Sequence, residues 1–278
     1  MCNGHATVVH GSVYFGAGNT TDIALKYIVY CYDPSQDNWT TLPPLPVWSF
    51  SLGHIDGKLV AVGGIRNSDN KVTSEVYTYV ERSHKWKQTF PPMPTARRSV
   101  QVLSLQSALL AVGGDIQGDL VTDAVEILKL DSLQWYKADR IPIACNCISL
   151  VAVGNICYAL GGALGYESTA AFLNQALYAS VDDLLCNAVP ANLKETTHIT
   201  GCSSDTQSAW KTLPNTPTYI PAAAVLADNL LAIGGARGDQ ADGGDDMREV
   251  YLYSTAANSW IYISDLPAPR ANTAVVAL

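Results

Sequence analysis

The sequence predicts an all-β fold, a propeller of five four-stranded antiparallel blades followed by one extra inner strand. Three markers repeat in phase. Gly-Gly pairs close short apolar runs at Gly63-Gly64, Gly113-Gly114, Gly161-Gly162 and Gly234-Gly235, with a degenerate copy at Gly16-Ala17-Gly18; the first glycines are 47, 50, 48 and 73 residues apart. Five of the six tryptophans keep the same step: Trp39, Trp86, Trp135, Trp210 and Trp260. Pro46, Pro94, Pro142, Pro217 and Pro267 follow them at seven or eight residues, and Tyr32, Tyr79, Leu128 and Tyr253 stand seven residues before four of them. A period near 50 residues with turn signals inside it indicates a sheet repeated around a ring.

The second period shows the strands in order. Residues 49–55 are an apolar run without helical spacing, ended by the hairpin signal Asp56-Gly57. Residues 58–63 form a short buried strand, and residues 65–74 a polar loop. Glu75 to Tyr79 alternates with period two, as a half-buried strand does. Glu81 to His84 turns the chain, Lys85 to Gln88 alternates again, and Pro91-Pro92-Met93-Pro94 stops further ladder pairing. The same pattern gives a single domain over 1–278, with blades near 5–46, 47–94, 95–142, 143–217 and 218–267.

The fourth period is longer, with an insertion at about 182–207 between its third and fourth strands. Val181 to Leu185 opens a short helix, with Asp near its N-terminus; residues 188–208 read as a polar flexible loop. Residues 270–278 match a first strand and are surplus to five blades. Either five blades close with one extra strand, or the chain carries part of a six-bladed ring, and the second reading is preferred.

The order Gly-Gly, then Tyr32-Asp33-Pro34, then Trp39 resembles the kelch repeat, over essentially the whole chain. The departures are Gly16-Ala17-Gly18 for Gly-Gly, Leu128 for Tyr, and an Asp-Pro kept in one repeat only. The resemblance implies a protein- or peptide-binding propeller face, often one that recognises acidic segments, and a ubiquitin-ligase substrate adaptor is one role found among such proteins.

Composition bounds the partners. The 278 residues carry 17 basic and 25 acidic side chains, with hydrophobic content of 48%. Such a chain buries a core and is not disordered. No apolar stretch approaches a membrane span, and the acidic balance argues against nucleic acid. The acid is concentrated at the C-terminal end: net −1 over 1–150 and −7 over 151–278. The seven cysteines form no paired knuckles, and the N-terminus lacks the regions of a signal peptide, so a reduced, cytoplasmic protein is expected.

The candidate partner-binding residues lie in or beside the loops between second and third strands and the Pro-rich links. They are Arg66, Arg97, Arg98, Arg140, Arg237 and Arg270, with Trp48 (out of step with the other tryptophans) and Tyr219. Arginine and aromatic side chains are common interface anchors. The alternative for Arg97 and Arg270 is a scaffold role, bonding neighbouring carbonyls. Arg237-Gly238-Asp239 reads as a chance tripeptide, because no signal peptide is present, and Asp239, Asp242, Asp245 and Asp246 read as a solvated acidic loop, because the calcium-loop spacing is missing. Ser203 to Trp210 resembles the Asp box of sialidase propellers, with Gln207 and Ala209 in place of Gly and Thr.

No catalytic residue, metal or cofactor is assigned. Cys145 and Cys147 read as buried packing. Kelch-type blades also occur in copper radical oxidases and sialic-acid-type mutarotases, and an actin-binding role is a further alternative. His5, His10, His54, His84 and His198 show no converging pair of copper ligands. The reading is a non-catalytic scaffold that binds another protein or an acidic peptide.

Overall fold

Each period folds into an up-and-down antiparallel sheet, as a computed structural model shows for residues 5–16, 22–118, 120–165, 170–192, 208–238, 245–271 and 273–277. Blade 1 comprises His5–Val9, Ser12–Gly16, Val29–Asp33 and Asn38–Thr41; blade 2 comprises Ser51–Ile55, Lys58–Val62, Val76–Val80 and Lys85–Gln88. Blade 3 is built from Gln101–Ser104, Ala108–Val112, Val125–Lys129 and Gln134–Ala138, and blade 4 from Asn146–Val153, Ile156–Ala163, Ala176–Ser180 and Lys211–Thr212. Blade 5 is Ala222–Leu226, Asn229–Ile233, Glu249–Ser254 and Ser259–Asp265. The two-residue turns set the registers. Asp56 and Gly57 both have positive φ, the signature of the hairpin turn that matches strand twist, and Ser51 pairs with Val62 across it.

The core lies between blades rather than inside any one of them. Period-two alternation sends half of each blade's side chains forward and half backward, so the spaces between successive blades from 1 to 5 are filled from both sides. Leu52, Leu59, Ala61 and Tyr77 of blade 2 meet Val9 and Val29 of blade 1. Leu109, Ala111, Leu128 and Trp135 of blade 3 meet Ile55, Val60 and Val76 of blade 2. Each of four tryptophans also donates its indole N–H to a carbonyl of the preceding link: Trp86 to Pro43, Trp135 to Pro91, Trp210 to Asp139 and Trp260 to Pro214, at 2.8, 2.8, 3.0 and 2.8 Å.

The Gly-Gly pairs sit where two successive links press on the end of a second strand. Gly63 and Gly64 have φ of 66° and 106°, in the range that favours glycine. A Cβ on Gly63 would collide with the Arg97 carbonyl, and one on Gly64 with that of Trp48. The Gly64 N–H donates to the Arg97 carbonyl at 2.9 Å, and Gly114 and Gly235 donate in the same way to Cys145 and Arg270.

The insertion does more than loop. Its helix, α1 (Val181–Cys186), is capped by Ser180 and buries Val181 and Leu184. The reading of residues 188–208 as a flexible loop is corrected over its first part. Val189–Pro190 pairs with Tyr136 and Lys137, adding a fifth strand to blade 3 and covering its outer edge. Residues 193–207, with His198 and most of the Asp-box resemblance, lie outside the described residues, as do Asp239 and Asp242.

The ring has a seam. Inner strands lie side by side from blade 1 to blade 5, but among the described residues no such packing joins blade 5 to blade 1. Thr273, Ala274 and Val275 instead line a central cavity of about 90 Å³ with the inner strands of the five blades. The expected extra strand does not form: residues 273–277 make no ladder among the described residues, although 273–275 lie at the ring's centre. No helix is long and apolar enough to cross a membrane. Cys31, Cys145 and Cys157 are free, whereas Cys147 and Cys186 are disulfide-bonded, which departs from the expectation of a wholly reduced chain and of Cys147 as simple packing.

Candidate functional site

One face of the ring, called the top here, gathers the links and the loops between second and third strands. The geometry is repeated at four blades. The residue just past each Gly-Gly pairs through its backbone with a link residue: Ile65 with Trp48, Asp115 with Arg98, Ala163 with Asn146, Ala236 with Tyr219. The next link residue, Ser49, Ser99, Cys147 or Ile220, has φ between 42° and 55°. This left-handed kink turns the chain down into the inner strand. For β-branched Ile220 it is a strained conformation, held by the surrounding ladder.

Trp48, Arg98, Asn146 and Tyr219 are thus one repeat position, arranged around the central mouth. Trp48 is out of step with the structural tryptophans but in step with Tyr219. The signal was present in the sequence, since the spacings 50, 48 and 73 follow those of the Gly-Gly pairs.

The arginines divide by environment. Arg97 is 0% exposed. Its guanidinium donates to the carbonyls of Gly113 and Ala124, both at 2.9 Å, and to Glu126 at 2.8 Å. Thr95 donates to the other Glu126 oxygen at 2.6 Å. Burial opposes the charged form of Arg97, and the Glu126 carboxylate offsets it. Arg98 is also buried, 3.6 Å from the Asp115 carboxylate, which in turn accepts from Asn146 at 2.6 Å. These two arginines tie their link to blade 3. Their assignment to a binding surface is corrected: no partner can reach Arg97, and Arg98 is spent on Asp115.

The remaining candidates are accessible. Arg66 is half-exposed and bridges Asp69 and Glu75, and Arg140 is exposed beside Asp123. Both charges are locally neutralised. Arg237 and Arg270 are exposed and form no ion pair among the described residues. The Arg270 side chain reaches only the Pro269 carbonyl, at 2.8 Å. Trp48 is half-buried, with the Lys26 ammonium 4.7 Å above its ring, a cation–π contact at the mouth. Lys26 and its neighbour Tyr27, whose hydroxyl donates to Asn67 at 3.1 Å, were not singled out from sequence.

The central cavity holds a polar layer formed by one further repeat position. His5 and Gln101 line it with Ser149. His5 Nδ1 lies 2.9 Å from the Ser51 hydroxyl, and burial lowers its pKa to about 4, against a smaller opposing bond from Gln101. Among the described residues no group of three His, Cys, Asp or Glu is placed to hold a metal ion.

No protein-family model matches the chain. It is similar to kelch repeat and BTB domain-containing protein 1 of cowpox virus (strain Brighton Red), 26% identical over 164 residues, 58% of this chain and 29% of that protein. Kelch-like protein 40 of Mus musculus is 28% identical over 137 residues, 48% of this chain and 21% of the relative. Kelch-like protein 41b of Danio rerio is 26% identical over 141 residues, 50% and 23% respectively. The matched stretch spans less than a third of each of these relatives. Among solved structures, that of YjhT superposes with a TM-score of 0.73 at 16% identity, covering 99% of this chain and 86% of that one, a likeness of fold. Repeat markers and blade architecture are those of a kelch-type β-propeller, and the curated relatives the chain resembles are kelch-repeat proteins.

Proposed function

We propose that the chain is a non-catalytic scaffold that binds another protein, and that the top face is its binding surface. One observation carries the reading. The repeat position just before the kink carries two aromatic side chains, Trp48 and Tyr219, on the top face of the ring, and accessible cations lie in the neighbouring loops and links. A rigid frame that presents aromatic and cationic anchors loses little conformational freedom on binding. Lys26, Arg237 and Arg270 favour an acidic segment of the partner, since their charges are not neutralised among the described residues. Arg66 and Arg140, already held by carboxylates, contribute less.

The viral relatives are named for a BTB domain beside kelch repeats. A role as a substrate-binding module of a ubiquitin ligase rests on that kinship, and the region of likeness is only part of those proteins. The test is quantitative affinity purification from the protein's own cells. Trp48→Ala with Arg66→Glu and Arg237→Glu is expected to remove the specific partners while leaving the fold intact by circular dichroism. Retention of every partner by this variant contradicts the assignment of the face.

A further inference from the structure

The outer strands of the five blades differ at one repeat position, the residue just after the structural tryptophan. It is Thr40 in blade 1, Lys87 in blade 2, Tyr136 in blade 3, Lys211 in blade 4 and Ile261 in blade 5. An outer strand offers a free backbone edge, and polar or charged side chains, short length or a covering strand keep that edge from pairing with another chain. Blades 1, 2 and 4 carry the polar or charged residue, exposed in each. Blade 3 carries the cover, since its Tyr136 and Lys137 pair with Pro190 and Val189. Blade 5 has neither device. Its outer strand, Ser259–Asp265, is the longest of the five, and no described strand pairs with its free edge. Ile261 and Tyr262 are 44% and 54% exposed there. Residues 254–264 contain no charged side chain, in a chain of net charge −8.

We propose that this edge pairs with the same edge of a second copy of the chain, antiparallel about a two-fold axis, so that the two blade 5 sheets become one. Charge selects this occupant. A basic or acidic strand finds no counter-charge along 254–264, whereas an identical strand brings no charge to repel. Register supports it. The shift opposite Val250 and Tyr251 leaves Ile263 unpaired, so the regular edge runs from Ser259 to Tyr262. An axis through Ile261 sets Ile261 opposite its own copy and Trp260 opposite Tyr262 of the second copy. Ile261 faces one side of the sheet, and Trp260 and Tyr262 the other. On the aromatic side, Trp260 lies 5.3 Å from Tyr253 and Tyr262 lies 6.0 Å from Tyr251, ring to ring. The pairing extends this row of rings across the axis, and aromatic and β-branched cross-strand pairs stabilise a sheet. Blade 3 shows that the positions equivalent to Ile261 and Tyr262 accept an added antiparallel strand. The surface is on the rim of the ring, so the proposal stands or falls independently of the top face.

Sedimentation velocity of the intact chain over a dilution series tests this. A reversible monomer–dimer equilibrium is expected. Ile261→Lys sets two like charges face to face across the axis, and is expected to weaken dimerisation at least tenfold without changing the Tm of the monomer. Thr40→Lys, at the same position of blade 1, is expected to leave it unchanged. Register is read separately. In Ile261→Cys the two opposed Cβ atoms lie about 5 Å apart, so a short bismaleimide is expected to join residue 261 to residue 261, identified by peptide mass, whereas Thr40→Cys gives no such link. Three results overturn the proposal: a chain that stays monomeric at every concentration, self-association of equal strength in Ile261→Lys, or Ile261→Cys chains that form no 261–261 link.

Discussion

Arg97 and Glu126 form a fully buried ion pair, with the guanidinium 2.8 Å from the carboxylate and its other nitrogen on two backbone carbonyls. The pair fastens a link to the blade that follows it. Removing one member leaves a charge without its partner in a dry site, which costs about 3–5 kcal/mol. Arg97→Ala is therefore expected to lower urea-unfolding stability by that amount, and Arg97→Met with Glu126→Leu to recover much of it. Loss below about 1 kcal/mol in the single variant contradicts the structural role.

Gly63→Ala tests the crowding at the end of the second strand. A side chain there meets both a left-handed backbone, which costs roughly 1–2 kcal/mol, and the Arg97 carbonyl. The variant is expected to lose at least that much stability in chemical denaturation. By contrast Gly11→Ala, with equally positive φ but open space around it, should lose only the backbone share.

Stability should depend on pH through buried histidine. His5 has its pKa lowered to about 4, chiefly by burial, and His54 is lowered by burial and then by His10. Between about pH 6.5 and pH 4 the unfolded chain binds the proton that folded His5 refuses, so stability rises with pH. The contribution is complete above about pH 6.5 and is lost as pH falls toward 4, roughly 3 kcal/mol at most by the size of the shift. His5→Gln is expected to flatten this limb of the curve. An unchanged slope would show that His5 is not held neutral.

Thiol chemistry separates the cysteines. Burial pushes Cys145 and Cys157 up to about 12, so neither presents a thiolate in the native state. In peptide mapping after alkylation, among the described cysteines Cys31 is expected to react first, Cys145 and Cys157 only on unfolding, and Cys147 and Cys186 only after reduction. Alkylation of Cys147 in unfolded, unreduced protein contradicts its disulfide.

The blades were legible because their markers do local physical work. Gly-Gly is required where links cross a strand end, and Trp where a gap between blades must be filled. Other features depended on distant residues. Nothing near Val189 announces that it adds to the strand around Trp135. Arg97 and Arg98 are adjacent and alike in sequence, and their burial follows from carboxylates 29 and 17 positions on, Glu126 and Asp115. Glu126 between Val125 and Ile127 was the one signal: a carboxylate inside an apolar strand needs a partner. Trp48 and Tyr219 became a pair only once the repeat position after each link was defined.

The central claim is that aromatic and cationic groups on the top face bind an acidic segment. An array of acidic peptides, each also in a charge-neutral version, measures it against the intact chain and a Trp48→Ala, Arg237→Glu, Arg270→Glu variant. Saturable binding of acidic peptides that falls at least tenfold in the variant is predicted. Binding that survives the three substitutions, or is equal for the neutral peptides, would contradict it.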